Sequence, residues 1–208
     1  GNLIKRVFDD KPPLYSVHIV NFPEQPTGIL CGGIERILYY LTPQGNIVNE
    51  TSTQGIIRTM DAGNFTSMDE NHIVVGLTTN YARNKFQLYN YPELTKKGAL
   101  QDLKMSSLYD LMAVDINGDR IHEIAYESAK GGVLFNSNGD LLLKLEERNV
   151  GRGQHAYPQL HMTKHPLPNQ GGEEIIGFMS SNLRFYNSNG NISKDIPFQL
   201  SPTDVFYD

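Results

Sequence analysis

Apolar and polar residues alternate in short runs along this chain, and no stretch repeats its apolar positions at helical spacing with caps to match. An apolar strand centred on isoleucine recurs as Thr27–Gly32, Asn71–Gly76, His122–Tyr126 and Glu173–Gly177. Its Ile29, Ile73, Ile124 and Ile175 lie 44, 51 and 51 residues apart. An aromatic-rich strand follows each: Ile37–Tyr40, Phe86–Asn90, Val133–Asn136 and Leu183–Asn187. In three copies a turn comes next, at Pro43–Asn46, Ser137–Asp140 or Ser188–Asn191, and its glycine suits a position needing positive φ. The second copy has Tyr91–Leu94 there instead.

An inner strand before each pair and an outer strand after it complete a unit of four strands. Inner strands are predicted at Tyr15–Val20, Ile57–Asp61, Leu111–Asp115 and Gln159–Thr163. Outer strands are predicted at Ile47–Asn49, near Leu100–Leu103, at Leu141–Leu145 and at Ile192–Lys194. Four strands at a period of about 50 residues are the pattern of propeller blades. The predicted fold is therefore all-β, with four blades of antiparallel strands at 14–50, 56–104, 109–147 and 157–197 in one domain over 1–208. Strands at 2–8 and 203–208 are left over. That count suits part of a ring of six to eight blades, because closing a ring hides the edges that would otherwise pair with other chains. A complete ring of four or five blades is the alternative.

The most specific motif is Asp115-Ile116-Asn117-Gly118-Asp119-Arg120-Ile121-His122-Glu123, a loop between two predicted strands. Oxygen side chains at its first, third, fifth and ninth positions belong to Asp115, Asn117, Asp119 and Glu123, and a curled loop can converge them on one hard cation. The flanking strands exclude an EF-hand, which needs helices. Loop and repeat together resemble the FG-GAP or VCBS-type blade of integrin-like β-propellers. The resemblance implies one structural calcium ion held by those four side chains and the carbonyl of Ile121. Arg120 stands where that pattern has glycine, so strain from positive φ is expected there. The equivalent loops of the other copies have lost the motif.

Composition narrows the function. Among 208 residues, 18 Lys and Arg face 23 Asp and Glu with the signs interspersed, giving a net charge of −5 and no broad basic surface for nucleic acid. No apolar run is long enough to span a membrane. Cys31 lies in an apolar strand and reads as a small core residue. Three matches to the glycosylation acceptor pattern, at Asn49, Asn64 and Asn191, are about what this composition produces by chance. His161 and His165 share a strand face but stand about 13 Å apart at the usual strand rise, which rules against one metal between them; His155 is the third histidine of that stretch.

The sequence contains no Gly-x-Ser-x-Gly elbow, phosphate-binding glycine loop or His-Glu-x-x-His. The expected function is thus a non-enzymatic binding scaffold that recognises a protein or glycan on a propeller face. A carbohydrate-active propeller, either a lectin or a polysaccharide lyase domain, is the alternative. Against it, Arg36, Arg83 and Arg184 do not hold equivalent repeat positions, and Tyr39, Tyr40, Tyr89, Phe185 and Tyr186 sit where blades pack on one another. Weak calcium sites suit extracellular modules. The calcium loop therefore places the chain outside the cell or at its surface, with the cytoplasm as the alternative.

Overall fold

A computed structural model describes residues 8, 12–80, 83–99, 108, 110–128, 131–144, 161–167, 171–179 and 182–197. The described residues form four sheets of four antiparallel strands, each in sequence order. Blade 1 holds β1 (Leu14–Val20), β2 (Gly28–Gly33), β3 (Ile37–Leu41) and β4 (Ile47–Ser52). Blade 2 holds β5 (Ile56–Gly63), β6 (His72–Asn80), β7 (Arg83–Asn90) and β8 (Lys96–Ala99). Blade 3 holds β9 (Asp110–Val114), β10 (Glu123–Ser128), β11 (Gly131–Phe135) and β12 (Leu141–Lys144). Blade 4 holds β13 (His161–Pro166), β14 (Glu173–Met179), β15 (Asn182–Tyr186) and β16 (Ile192–Pro197).

The period-2 pattern decides which side chains meet. Among the described blades, the back face of blades 2, 3 and 4 meets the front face of the blade before it. Val20, Leu30, Leu38 and Tyr40 on the front of blade 1 pack against Ile57, Met60, Ile73 and Tyr89 of blade 2. The same arrangement joins blade 2 to blade 3 through Val74, Phe86 and Leu88 against Leu111, Ala113 and Ile124. It joins blade 3 to blade 4 through Met112, Val114 and Leu134 against Ile175 and Tyr186. The isoleucine column is therefore a column of contacts between blades: Ile73, Ile124 and Ile175 are fully buried. Burying a side chain of that size stabilises by about 1.5–3 kcal/mol.

The third and fourth strands share one irregularity. The register shifts at Tyr40/Leu41, Leu88/Tyr89, Leu134/Phe135 and Phe185/Tyr186, at the same repeat position in every blade. In blades 1, 3 and 4 the turn beyond it places Gly45, Gly139 and Gly190 at φ 77°, 86° and 73°. A type of turn that needs φ > 0 explains these glycines. The second blade turns through a cis Tyr91–Pro92 bond instead.

The described inner strand of blade 4 is His161–Pro166, which runs past the expected end at Thr163, and the described outer strand of blade 2 is Lys96–Ala99, ahead of the expected Leu100–Leu103. Gln159, Leu160 and residues 100–103 lie outside the described residues. Pro166 is tolerated because it closes the strand, pairing with Glu173 at its last rung. The expected strands at 2–8 and 203–208 lie outside the described residues, apart from Phe8, as does His155.

Candidate functional site

The inner strands are tied together at one end by polar groups, of which Asp61 is buried. Asp61, on β5, accepts the Ala113 N–H of the next blade at 2.7 Å and the adjacent Ala62 N–H at 2.7 Å. Its other neighbour is His18 Nε2 on β1, at 2.9 Å. Burial alone would raise the Asp61 pKa, but the His18 hydrogen bond and charge and the two amides outweigh it, and the net shift is downward. One blade further on, the Lys164 ammonium donates to the Ala113 carbonyl at 2.8 Å and lies 3.5 Å from Glu173. Each tie crosses from one blade to the next.

The acidic loop between β9 and β10 sits beside these ties, and the structure brings its predicted residues together. Asp115 accepts the N–H groups of Gly118 at 2.8 Å and Arg120 at 3.0 Å. Asn117 Oδ1 accepts the Asp119 N–H at 2.9 Å, and Asp119 Oδ1 accepts the Ile121 N–H at 2.7 Å. The Asn117 amide group points its Nδ2 at Asp119 Oδ2, 3.0 Å away, and at Glu123 Oε1, 3.4 Å away. Glu123 Oε2 accepts the Ile116 N–H at 3.2 Å. Burial pushes the Glu123 carboxyl up to about 7; the charges of Asp119 and Asp115 add to that, against the pull of backbone amides. Arg120 does adopt the strained conformation, with φ 67°.

Three carboxylates and a carboxamide on one short turn are the donor chemistry of a hard cation. The hydrogen bonds described above brace the turn from within, and among the described residues no group of three or more His, Cys, Asp or Glu side chains is arranged to hold a metal.

Sequence reasoning did not find what surrounds the loop. Glu173 N–H donates to the Asp115 carbonyl at 2.6 Å, and Asp115 N–H donates to the Glu173 carboxylate at 3.0 Å. On the other side, His122 N–H donates to the Asn64 carbonyl at 2.6 Å, and Asn64 N–H donates to His122 Nδ1 at 3.2 Å. Turns of blades 2, 3 and 4 thereby line an open cavity of about 480 Å³ whose lining includes Met68, Asp69, Arg120, His122 and Glu173. Met68 is 56% exposed at its rim.

Two histidines flank the buried ring of Phe65, with centroids 6.4 Å (His72) and 6.2 Å (His122) away. Burial lowers the pKa of both, and the Lys97 and Lys164 charges respectively add to the effect. The fold therefore favours the neutral form of both. The unfolded chain takes up protons near 6.5, so the stability they contribute is present above that pH and lost as pH falls below it. Thermal unfolding followed from about pH 7.5 to 5.5 is expected to show a falling midpoint, with a smaller fall for His122→Gln.

Of the aromatic residues expected to pack in the fold, Tyr39, Tyr89 and Tyr186 are each 1% exposed and Tyr40 is 5%, while Phe185 is half-buried. Cys31 is buried as expected, and burial pushes its thiol up to about 11.

No protein-family model and no curated protein matches the chain. Solved structures do match, among them two crystals of BBS1N in complex with ARL6DN, one soaked with mercury and one with lead. Both superpose with a TM-score of 0.62, at 15% and 16% identity, over 88% and 92% of this chain.

The chain folds as β-propeller blades. It spans 54% and 57% of those two chains, just over half of their length. Identity this low carries the fold alone. The comparison also corrects the extracellular or cell-surface placement: that reading leaned on integrin-like propellers and weak calcium, whereas BBS1N with ARL6DN points away from it. Among the described residues no helix is long and apolar enough to cross a membrane.

Proposed function

We propose that these propeller blades are a non-enzymatic scaffold that binds a protein on the face where the turns of blades 2, 3 and 4 meet. The cavity between those turns carries the reading. It is concave and held by backbone hydrogen bonds on both sides of the acidic loop, and Met68 offers an apolar contact beside Asp69 and Arg120. A preorganised loop-lined surface of this kind loses little entropy on binding. The complex of BBS1N with ARL6DN supports a protein as the ligand class and makes ARL6 the first candidate. Tyr40, Tyr89 and Tyr186 are buried between blades, which counts against a glycan stacked on them.

Titrating the immobilised chain with ARL6 and with a glycan array tests this reading. Saturable protein binding, weakened in Asp69→Lys, is the expected result. Sugar binding that free oligosaccharide competes away, unchanged in Asp69→Lys, would overturn it.

Kinship with FG-GAP and VCBS repeats stays part of the proposal, supported by the acidic loop, and so does calcium. Asp115, Asn117, Asp119, Glu123 and the Ile121 carbonyl would hold the ion, which would offset the burial and the neighbouring carboxylate charges that raise the Glu123 pKa. A ligand that binds only the folded state stabilises it by about 2.7 kcal/mol at a hundred times its dissociation constant. Excess calcium is therefore expected to raise the thermal midpoint of the natural chain relative to chelator, with no rise in Asp119→Ala. Equal midpoints in the natural chain would remove the ion from the account.

A further inference from the structure

Val17 and Ile19 on β1 are the two most exposed large apolar side chains among the described residues, at 63% and 69%. The strand register shows what their positions do elsewhere. Ile19 pairs with Ile29, as Ala62 does with Ile73, Ala113 with Ile124 and Lys164 with Ile175. Val17, two residues earlier, is by the same register the counterpart of Met60, Leu111 and Met162. In blades 2 and 3 these back-face positions are covered by the preceding blade: Met60 and Leu111 are 4% exposed and Ala113 is fully buried. In blade 4, Met162 packs on the core shared with blade 3, and Lys164 reaches the Ala113 carbonyl. Only blade 1 leaves the inner part of its back face to solvent, although Phe8 lies against Tyr39 further out on that face, with ring centroids 4.8 Å apart.

We propose that the back face of blade 1 around Val17 and Ile19 is an interface between blades, and that its occupant is the front face of a further four-stranded blade of the same polypeptide. Two observations select that occupant. The face continues, position by position, an interface already formed three times within the chain. The BBS1N chains carry nearly as much polypeptide again beyond the matched part, enough for additional blades. The front face of blade 4 is the other open end of the arc, with Leu183, Phe185 and Ile176 half-buried where Leu30 and Leu38 of blade 1 are fully buried. The proposal concerns the ring and is independent of the protein-binding cavity.

The test is thiol labelling of single-cysteine variants in the longest polypeptide in which the gene places this sequence. Val17→Cys and Ile19→Cys are compared with Val48→Cys, at an outer-strand position 56% exposed in this structure, while buried Cys31 serves as the slow internal thiol. Labelling at 17 and 19 at least about tenfold slower than at 48, at monomer mass by light scattering and unchanged on dilution, is expected. Rates at 17 and 19 equal to that at 48 would overturn the proposal. So would protection that disappears on dilution, which would assign the face to a second copy or a separate partner.

Discussion

Asp61→Ala is expected to lower the unfolding free energy by about 3 kcal/mol, because it leaves a buried N–H without its acceptor and a histidine without its hydrogen-bond partner. Asp61 is 8% exposed and is the group through which three blades touch: its carboxylate holds Ala113 N–H of blade 3 and His18 of blade 1. Water has little access to the orphaned amide, so solvation cannot replace the lost bond. Asp61→Asn separates charge from hydrogen bonding. Its carboxamide can accept from one neighbour but must turn an NH₂ toward another, so an intermediate loss is expected. The Asp61 pKa is lowered in the fold, so its contribution is present above the unfolded value of 3.8 and disappears as pH falls through the lower folded value. Denaturant unfolding of the natural chain and both variants at neutral pH, repeated at steps below pH 3.8, checks the order and its loss in acid.

A second large effect is expected from Gly172→Ala, at the turn that seats blade 4 on the acidic loop. A Cβ there would lie 2.7 Å from the Asp115 carbonyl oxygen and the Gly118 nitrogen and 2.9 Å from Gly118 Cα. All three are backbone atoms and cannot swing aside. Gly172 also has φ 79°, which costs an L-residue about 1–2 kcal/mol by itself. Its neighbour supplies the control: Gly171 has φ 68°, yet the nearest atom to its would-be Cβ is 4.0 Å away. Gly171→Ala should therefore lose only the conformational part, about 1 kcal/mol, and Gly172→Ala about 3 kcal/mol or more. Thermal or denaturant unfolding measures the difference, which isolates the contact between the blade 4 turn and the loop.

The blades were legible in the sequence because two short-range signals agree. Alternation marks each strand, and the isoleucine column repeats the unit. What the sequence hid has physical reasons. Lys96-Lys97-Gly98 lacks the β-branched residues of a strand, yet β8 forms because β7 offers it a partner edge. The inner strand of blade 4 continues to Pro166, past the expected end at Thr163, because a proline at a last rung costs no ladder hydrogen bond.

The acidic loop was legible from its own residues, as was the positive φ of Arg120. Its partners were not, because Asn64 and Glu173 are each 58 residues from the loop residue they bond. No local pattern encodes such a pairing. A signal did exist at Asp61: it stands at the repeat position of His18, and polar side chains at the same inner-strand position in two successive blades can face one another or the next blade's backbone.

The central claim is that the turn face around the cavity docks a protein. Site-specific photo-crosslinking is its most direct measurement, with the reactive side chain placed at Met68 and, as controls on outer strands, at Val48 and Leu142. A discrete protein adduct formed from Met68, competed by excess unmodified chain and lost when Asp69→Lys is added, is the predicted result. Adducts of equal yield from all three positions, or none from Met68 while the controls react, would contradict it.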